Sequence, residues 1–362
     1  MYDSYIRFRS QPTVNIKDNF LKEIIYKSIL TFKMLDSINS KFKINYYFSV
    51  FSVYINQGLA VRFFLKKNVT VYSWGNFYFY LKKKDINNWH DENVINFKKN
   101  FFNLANKNLL IKKSKLELSK KFKNNSDFSA RPIKYFTQKV SFDKRFNFNK
   151  NKLINKMKGV VFLHCFYDAP HYYGSGVFND HYEWTLYTLE LIRKYKLLFA
   201  IKEHVNALDE SKKIFTILKN KYSDLVWVPN SISNIDLLNN KNLDFFISNT
   251  GSILYEAAFV GKTTISAGTN RTSSYNFSYN PKNVNDYKNI LINPKRKNIT
   301  KKNKNEICQI YYQSFLDNQE SLNTIASKIK LMNFKFFSMQ RYYNKLNYFD
   351  KKINKLRYLN YS

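Results

Sequence analysis

Between Gly159 and Leu291, short apolar runs alternate with segments whose apolar residues recur at helical spacing. This rhythm restricts the fold more than any other feature of the chain. Strands are expected at Gly159–Phe166, Leu197–Lys202, Leu225–Val228, Leu243–Ser248 and Thr263–Ser266. Helices are expected at Asp180–Lys194, Leu208–Tyr222, Ile232–Leu238, Ser252–Val260 and Val284–Leu291. Strands covered on both faces read as unbroken apolar runs. Alternation at this period predicts an α/β fold with a parallel, doubly wound sheet and right-handed crossovers.

The chain before Lys84 repeats the pattern on a smaller scale. Asp18 precedes a helix-spaced run to Ser37, an aromatic and β-branched run covers Ile44–Val53, a helix fits Gln57–Lys67, and a strand fits Val69–Trp74. Strand, helix and strand at this spacing make one βαβ unit. A length of 362 residues suits two domains. The expected division is a small or truncated Rossmann-like domain at 1–84, an irregular and partly helical excursion and linker at 85–158, a nucleotide-binding Rossmann-like domain at 159–294, and a basic helical tail at 295–362. Helical spacing is visible in Val94–Leu118, and Asn124–Lys158 reads as linker.

The net charge of +34 raises the question of nucleic acid. Lys outnumbers Arg about five to one, whereas a dedicated nucleic-acid binder favours the planar fork of Arg for phosphate and guanine. Lys, Asn, Ile, Phe and Tyr are raised together, as A/T-rich codon usage would raise them. The charge is therefore read as mainly codon bias plus a mildly anionic partner, such as an anionic membrane surface, rather than nucleic acid. Two cysteines, Cys165 and Cys308, make no disulfide framework and fit a reducing, cytoplasmic setting. The opening residues MYDSYIRFRSQPTVN carry no apolar signal core. Asn56, Gln57 and Arg62 interrupt the stretch Tyr47–Leu65, which is too polar to span a bilayer well.

In parallel α/β sheets, ligands bind beyond the carboxyl ends of the strands, so the residues following each strand carry the chemistry. After Leu243–Ser248 come Thr250, Gly251 and Ser252 at a helix start. They form an anion site, most naturally for phosphate, with Glu256 one turn on and placed to hold a ribose diol. A plain N-cap is the alternative use of that serine. After Leu197–Lys202 comes His204, a donor to phosphate or an acid–base group. After Gly159–Phe166 a polar loop carries His164, Asp168, His171 and Gly174–Gly176, and Asp180 and Glu183 open the next helix. Four of the five histidines lie between His164 and His204, yet their spacing matches no closed zinc site, so neither a metal nor a cofactor is expected. In the first half, Gly58 and Arg62 follow a strand, where glycine allows close approach and arginine meets an anion.

Three blocks in this order resemble the bacterial capsular and surface polysaccharide biosynthesis proteins of the GT-B glycosyltransferase architecture. The first is His164-Cys-Phe-Tyr-Asp168-Ala-Pro-His171 with Phe178-Asn-Asp180-His-Tyr-Glu183-Trp184. The second is Ile201-Lys202-Glu203-His204, and the third is Ser248-Asn-Thr-Gly251-Ser252 with Glu256, Gly261 and Lys262. The resemblance covers about 130 residues, Phe162–Tyr287, with a weaker echo at Tyr54–Trp74. It implies two Rossmann-like domains and a nucleotide-sugar donor held by the second. Lys202 and His204 would approach the nucleotide or its phosphates, and Thr250, Gly251 and Ser252 would cradle the phosphates. Glu256 would hold the ribose, and Asp168 and His171 would face the reacting sugar. His164, Asp180, Glu183, Gly58 and Arg62 would border the cleft or the acceptor side, where a glycan or lipid-linked acceptor enters. Val205 stands where the family has proline, and the first half shows no catalytic carboxylate in a clear motif. Asp85, Asp91 and Glu92 are the available ones. The implied activity is metal-independent sugar transfer to a surface-glycan acceptor. The rival readings are a nucleotide-sugar epimerase or polyol-phosphate transferase on the same architecture, a transferase that binds its donor without turnover, and a basic non-enzymatic nucleic-acid- or membrane-binding protein.

Overall fold

The computed structural model describes residues 1–74, 81–87, 94–122, 152–172, 174, 176–204 and 207–316. The described residues all lie within one compact unit, Met1–Glu320. Asp91, Glu92, most of the Asn124–Lys158 linker, Ser175, Val205 and the tail beyond residue 316 lie outside the described residues.

The second half builds the main sheet from β4 (Gly159–Phe162), β5 (Phe199–Lys202), β6 (Phe245–Ser248), β7 (Thr263–Ser266) and β8 (Ser278–Tyr279), in the order β5-β4-β6-β7-β8. Every pairing is parallel. The expected strand at Leu225–Val228 shrinks to one parallel bridge, Trp227 to Ile201, on the outer edge of β5. With that bridge the order is the doubly wound 3-2-1-4-5-6, which reverses direction between β4 and β6. All four residues of β4, β5, β6 and β7 are buried, which explains the unbroken apolar runs. β4 ends at Phe162 rather than Phe166. Beyond it the chain leaves the ladder as an irregular loop, in which the Phe166 amide donates to Ser211 Oγ at 3.1 Å. A side chain on Gly159 would collide with the Phe245 carbonyl of β6, so glycine is required at that contact.

The helices around this sheet start where side-chain caps are available. The labels α1 to α5 fall to the first 122 residues. α6 (His181–Lys194) is capped by Asp180, which accepts from the Glu183 amide at 2.7 Å. α7 spans Asp209–Lys221 and α8 Asn234–Asn239, the latter with a Ser233/Asp236 capping box. α9 spans Ile253–Phe259, and α10 (Val284–Ile292) is capped by Asn283. α11 (Lys301–Tyr311) has a Thr300/Asn303 box and runs into a π turn at Tyr312–Leu316. Trp184 of α6 is fully buried, and its Nε1 donates to Tyr287 of α10 at 2.9 Å.

The first half contains α1 (Tyr2–Arg9), α2 (Asn19–Lys41), β1 (Tyr46–Ser49), α3 (Ile55–Lys66), β2 (Thr70–Trp74) and β3 (Leu81–Lys83). β1 and β2 are parallel around α3, the expected βαβ unit, and β3 adds antiparallel to β2. The sequence reading overlooked β3 because three residues reading Leu-Lys-Lys carry no apolar alternation. Asp18 caps α2 by accepting from the Phe20 amide. A hydrogen bond from Arg9 holds its carboxyl down at about 2. α1 is a further unforeseen element. Its Tyr5 and Ile6 are fully buried in the same core cluster as Val161, Phe166, Trp184 and Ile201 of the second half.

α4 (Phe97–Phe102) and α5 (Lys107–Phe122) place Phe97, Phe101 and Leu118 in one apolar cluster with Tyr255, Ile307 and Ile310. The described part of the tail therefore packs on α5 and α9.

Candidate active site

The reversal between β4 and β6 opens the crevice in which open parallel sheets bind their ligands. The carboxyl ends of β4, β5 and β6 deliver His164, His204 and Asn249 to it, and α6 adds His181. The His164 ring lies 4.2 Å from that of His181, nearly parallel, and 5.4 Å from that of His204. His181 is completely buried. Asn249 Nδ2 donates to its Nδ1 at 2.9 Å, which places the ring proton on Nε2. Burial, and then the neighbouring His164, His171 and His204, push its pKa well below the ordinary value, so the ring is neutral. It forms a fixed floor beneath His164 and His204, which are half-buried.

The three motif blocks meet at this point. Leu163 N donates to the Lys202 carbonyl at 2.9 Å, and Ser248 Oγ donates to the Phe162 carbonyl at 3.2 Å. Gly251 N donates to Ser248 Oγ at 3.3 Å, and a side chain on Gly251 would lie 2.8 Å from that oxygen. Thr250, Gly251 and Ser252 are half-buried at the rim, and Ser252 precedes α9 without a side-chain capping bond.

Two residues expected at the nucleotide point elsewhere. Glu256 is buried, and its Oε1 accepts from Lys121 Nζ of α5 at 2.5 Å. This corrects the ribose assignment, because its carboxylate is engaged by an ammonium beneath the surface. The Lys202 side chain is also buried, and its Nζ donates to the Ile232 carbonyl at 2.8 Å. Burial pulls its pKa down to about 8.

The loop after β4 meets the first half. Asp168 is exposed, with Oδ2 at 4.0 Å from His164 Nδ1, and it adds to burial in raising the Tyr54 hydroxyl. His171 Nδ1 lies 2.6 Å from Asp3 Oδ1 of α1. The ring of Tyr172 stacks on Phe51 at 6.2 Å. Asp180 and Glu183 serve the start of α6. Asp180 accepts from Tyr2 Oη at 2.6 Å, and Glu183 accepts from the Asn179 amide at 2.8 Å. Both carboxylates are thus engaged in holding the start of that helix. Gly58 does permit a close approach, but to its own chain, since a side chain there would sit 2.5 Å from the Ser52 carbonyl. Burial lowers the pKa of Arg62, and the charge of Asp3 partly offsets this.

Sequence reading missed Asp3, Tyr2, Tyr54 and Asn249. Asn249, inside the third block, and Tyr54, at the start of the weaker echo, stood beside a visible signal. Among the described residues no group of three His, Cys, Asp or Glu is arranged to hold a metal ion.

No protein-family model matches the chain, and no curated protein matches it. Among solved structures it is similar to Thermosulfurimonas dismutans KpsC, a beta Kdo 2,7 transferase, at 12% identity and TM-score 0.38, covering 68% of this chain and 70% of that one. It is also similar to the Methanocaldococcus jannaschii UDP-GlcNAc 2-epimerase in complex with UDP-GlcNAc and UDP, at 11% identity and TM-score 0.32, covering 79% and 80%. A third is the S. aureus MnaA-UDP co-structure, at 14% identity and TM-score 0.35, covering 88% and 82%.

Proposed function

We propose that the protein is a metal-independent glycosyltransferase that moves a sugar from a nucleotide-activated donor to a surface-glycan acceptor. One observation carries this reading. Three sequence blocks tens of residues apart converge at the reversal point of one parallel sheet, with His164 5.4 Å from His204 and the Thr250–Ser252 turn beside them. Imidazoles and backbone amides at that position suit a diphosphate, and the charge developing on the leaving phosphate is stabilised there. A thermal-shift screen over CMP, CDP, UDP and GDP tests the reading. One nucleotide at about a hundred times its Kd adds about 2.7 kcal/mol to stability. His204→Ala and Ser252→Tyr should remove that shift. No stabilisation by any of the four sinks the reading. Conversion of the donor with no acceptor present assigns an epimerase instead.

The acceptor side belongs at an anionic membrane face in this reading. α2 exposes Ile29, Leu30, Met34 and, just past its end, Phe42, interspersed with Lys27, Lys33 and Lys41. Among the described residues, no helix is long and apolar enough to cross a membrane. Sedimentation with anionic vesicles at low salt tests this attachment, and no binding there removes it.

A further inference from the structure

His171 is held at one ring nitrogen and open at the other. Its Nδ1 lies 2.6 Å from Asp3 Oδ1. A carboxylate only accepts, so Nδ1 carries a proton, and in the neutral ring the lone pair is on Nε2. Among the described residues Nε2 has no hydrogen-bond partner. The Asp3 side chain is 10% exposed and that of His171 36%, so the carboxylate is largely buried and the imidazole is partly open to solvent. The Tyr2 ring stands edge-on to the imidazole at 5.2 Å, and its hydroxyl is fixed on Asp180 at 2.6 Å. No comparable support reaches Asp168, which is exposed and 4.0 Å from the nearest imidazole.

We infer that His171 is the general base of the transfer and that Asp3 is its positioning residue. This rests on the transferase reading above. The acceptor hydroxyl gives its proton to His171 Nε2, and the oxygen's electron pair forms the bond to the anomeric carbon of the donor sugar. The bond from that carbon to the phosphate oxygen breaks, and its electrons stay with the departing nucleotide. Asp3 stabilises the imidazolium and fixes the tautomer, and the proton passes to water after the product leaves. Asp3 thereby supplies the first-half carboxylate that no motif revealed, acting through a histidine of the second half.

Two readouts on the full-length chain test the inference. The first is diethylpyrocarbonate labelling of His171, followed by peptide mass mapping. Asp3→Asn should slow labelling about tenfold with the far-UV circular dichroism unchanged, because the imidazole loses its anionic partner. A purely structural Asp3 would instead loosen α1 and speed labelling, and that result overturns the positioning role. The second readout uses as donor the sugar conjugate of whichever nucleotide stabilises the protein. Asp3→Asn should lower kcat by about 10² to 10³-fold with the donor KM unchanged, and Asp3→Glu should recover part of the loss. A loss below about threefold overturns it. His171→Gln keeps an amide donor toward Asp3 and hence the docking of α1. It should lose kcat by at least about 10²-fold, which decides the matter if Asp3→Asn does not fold. If no nucleotide binds, the transferase reading and the base role fall together. The labelling result then still decides whether Asp3 sets the reactivity of His171.

Discussion

The two sheets of the molecule are covered very differently. In the five-stranded sheet, β4 to β7 bury every residue, with helices packed around them. In the three-stranded sheet, Tyr46 and Phe48 of β1 are exposed, and only the face bearing Val71 packs against α3. The neighbouring α2 buries Ile24 and Leu35 while Ile29, Leu30, Phe32 and Met34 face outward. A helix that is apolar on all sides normally has neighbours on all sides. The fully covered sheet can hold a site rigidly at its strand ends, whereas the thinly covered one leaves large apolar side chains on the surface.

The sharpest test of this contrast is in the core beneath the candidate site. Trp184→Ala should cost about 3–5 kcal/mol, through the lost ring volume and the lost hydrogen bond to the Tyr287 hydroxyl, which keeps only Thr188 as partner, measured by chemical denaturation. Breaking the Lys121–Glu256 pair by Lys121→Met should cost about 3–5 kcal/mol, since it leaves a carboxylate that is 1% exposed without its cation. If replacing both with apolar residues restores stability, the pair is a structural tie rather than part of the site.

A smaller effect concerns Lys202. Its pKa is lowered from 10.5 to about 8 in the folded state by burial. Between those values the unfolded chain binds the extra proton, so stability rises with pH across this window, while below about 8 the cost of the buried ammonium is constant. Lys202→Met should abolish this rise, read as the difference from the parent protein in denaturation midpoints between pH 8 and 10. The smallest effect is expected on α2. Leu30→Ser and Met34→Ser should change stability by less than about 0.5 kcal/mol while weakening vesicle binding. A large loss of stability there would show that a partner element covers the helix.

The sequence made the main sheet legible because strands buried on both faces must be apolar throughout, and the Thr250–Ser252 turn because it is a local pattern at a strand end. The misreadings concern where side chains go over distance. Glu256 shows the right spacing from Ser252, yet its partner Lys121 is 135 positions away. Lys202 belongs to the second block, but the carbonyl of Ile232 captures its head group. Asp3 meets His171 across 168 positions, and no periodicity links them. α1 escaped notice because its buried pair, Tyr5 and Ile6, is too short a run to show a period.

Synthesis order gives α1 a further meaning. Its seat includes Asp180 and His171, which emerge from the ribosome about 10 to 35 seconds after it at ordinary elongation rates. During that interval Tyr5 and Ile6 have only their first-half neighbours, such as Phe20, Ile24 and Ile55, to pack against. The Asp3–His171 pair therefore forms only once the β4 loop and the start of α6 have been made, so a chain arrested earlier carries the aspartate without its histidine.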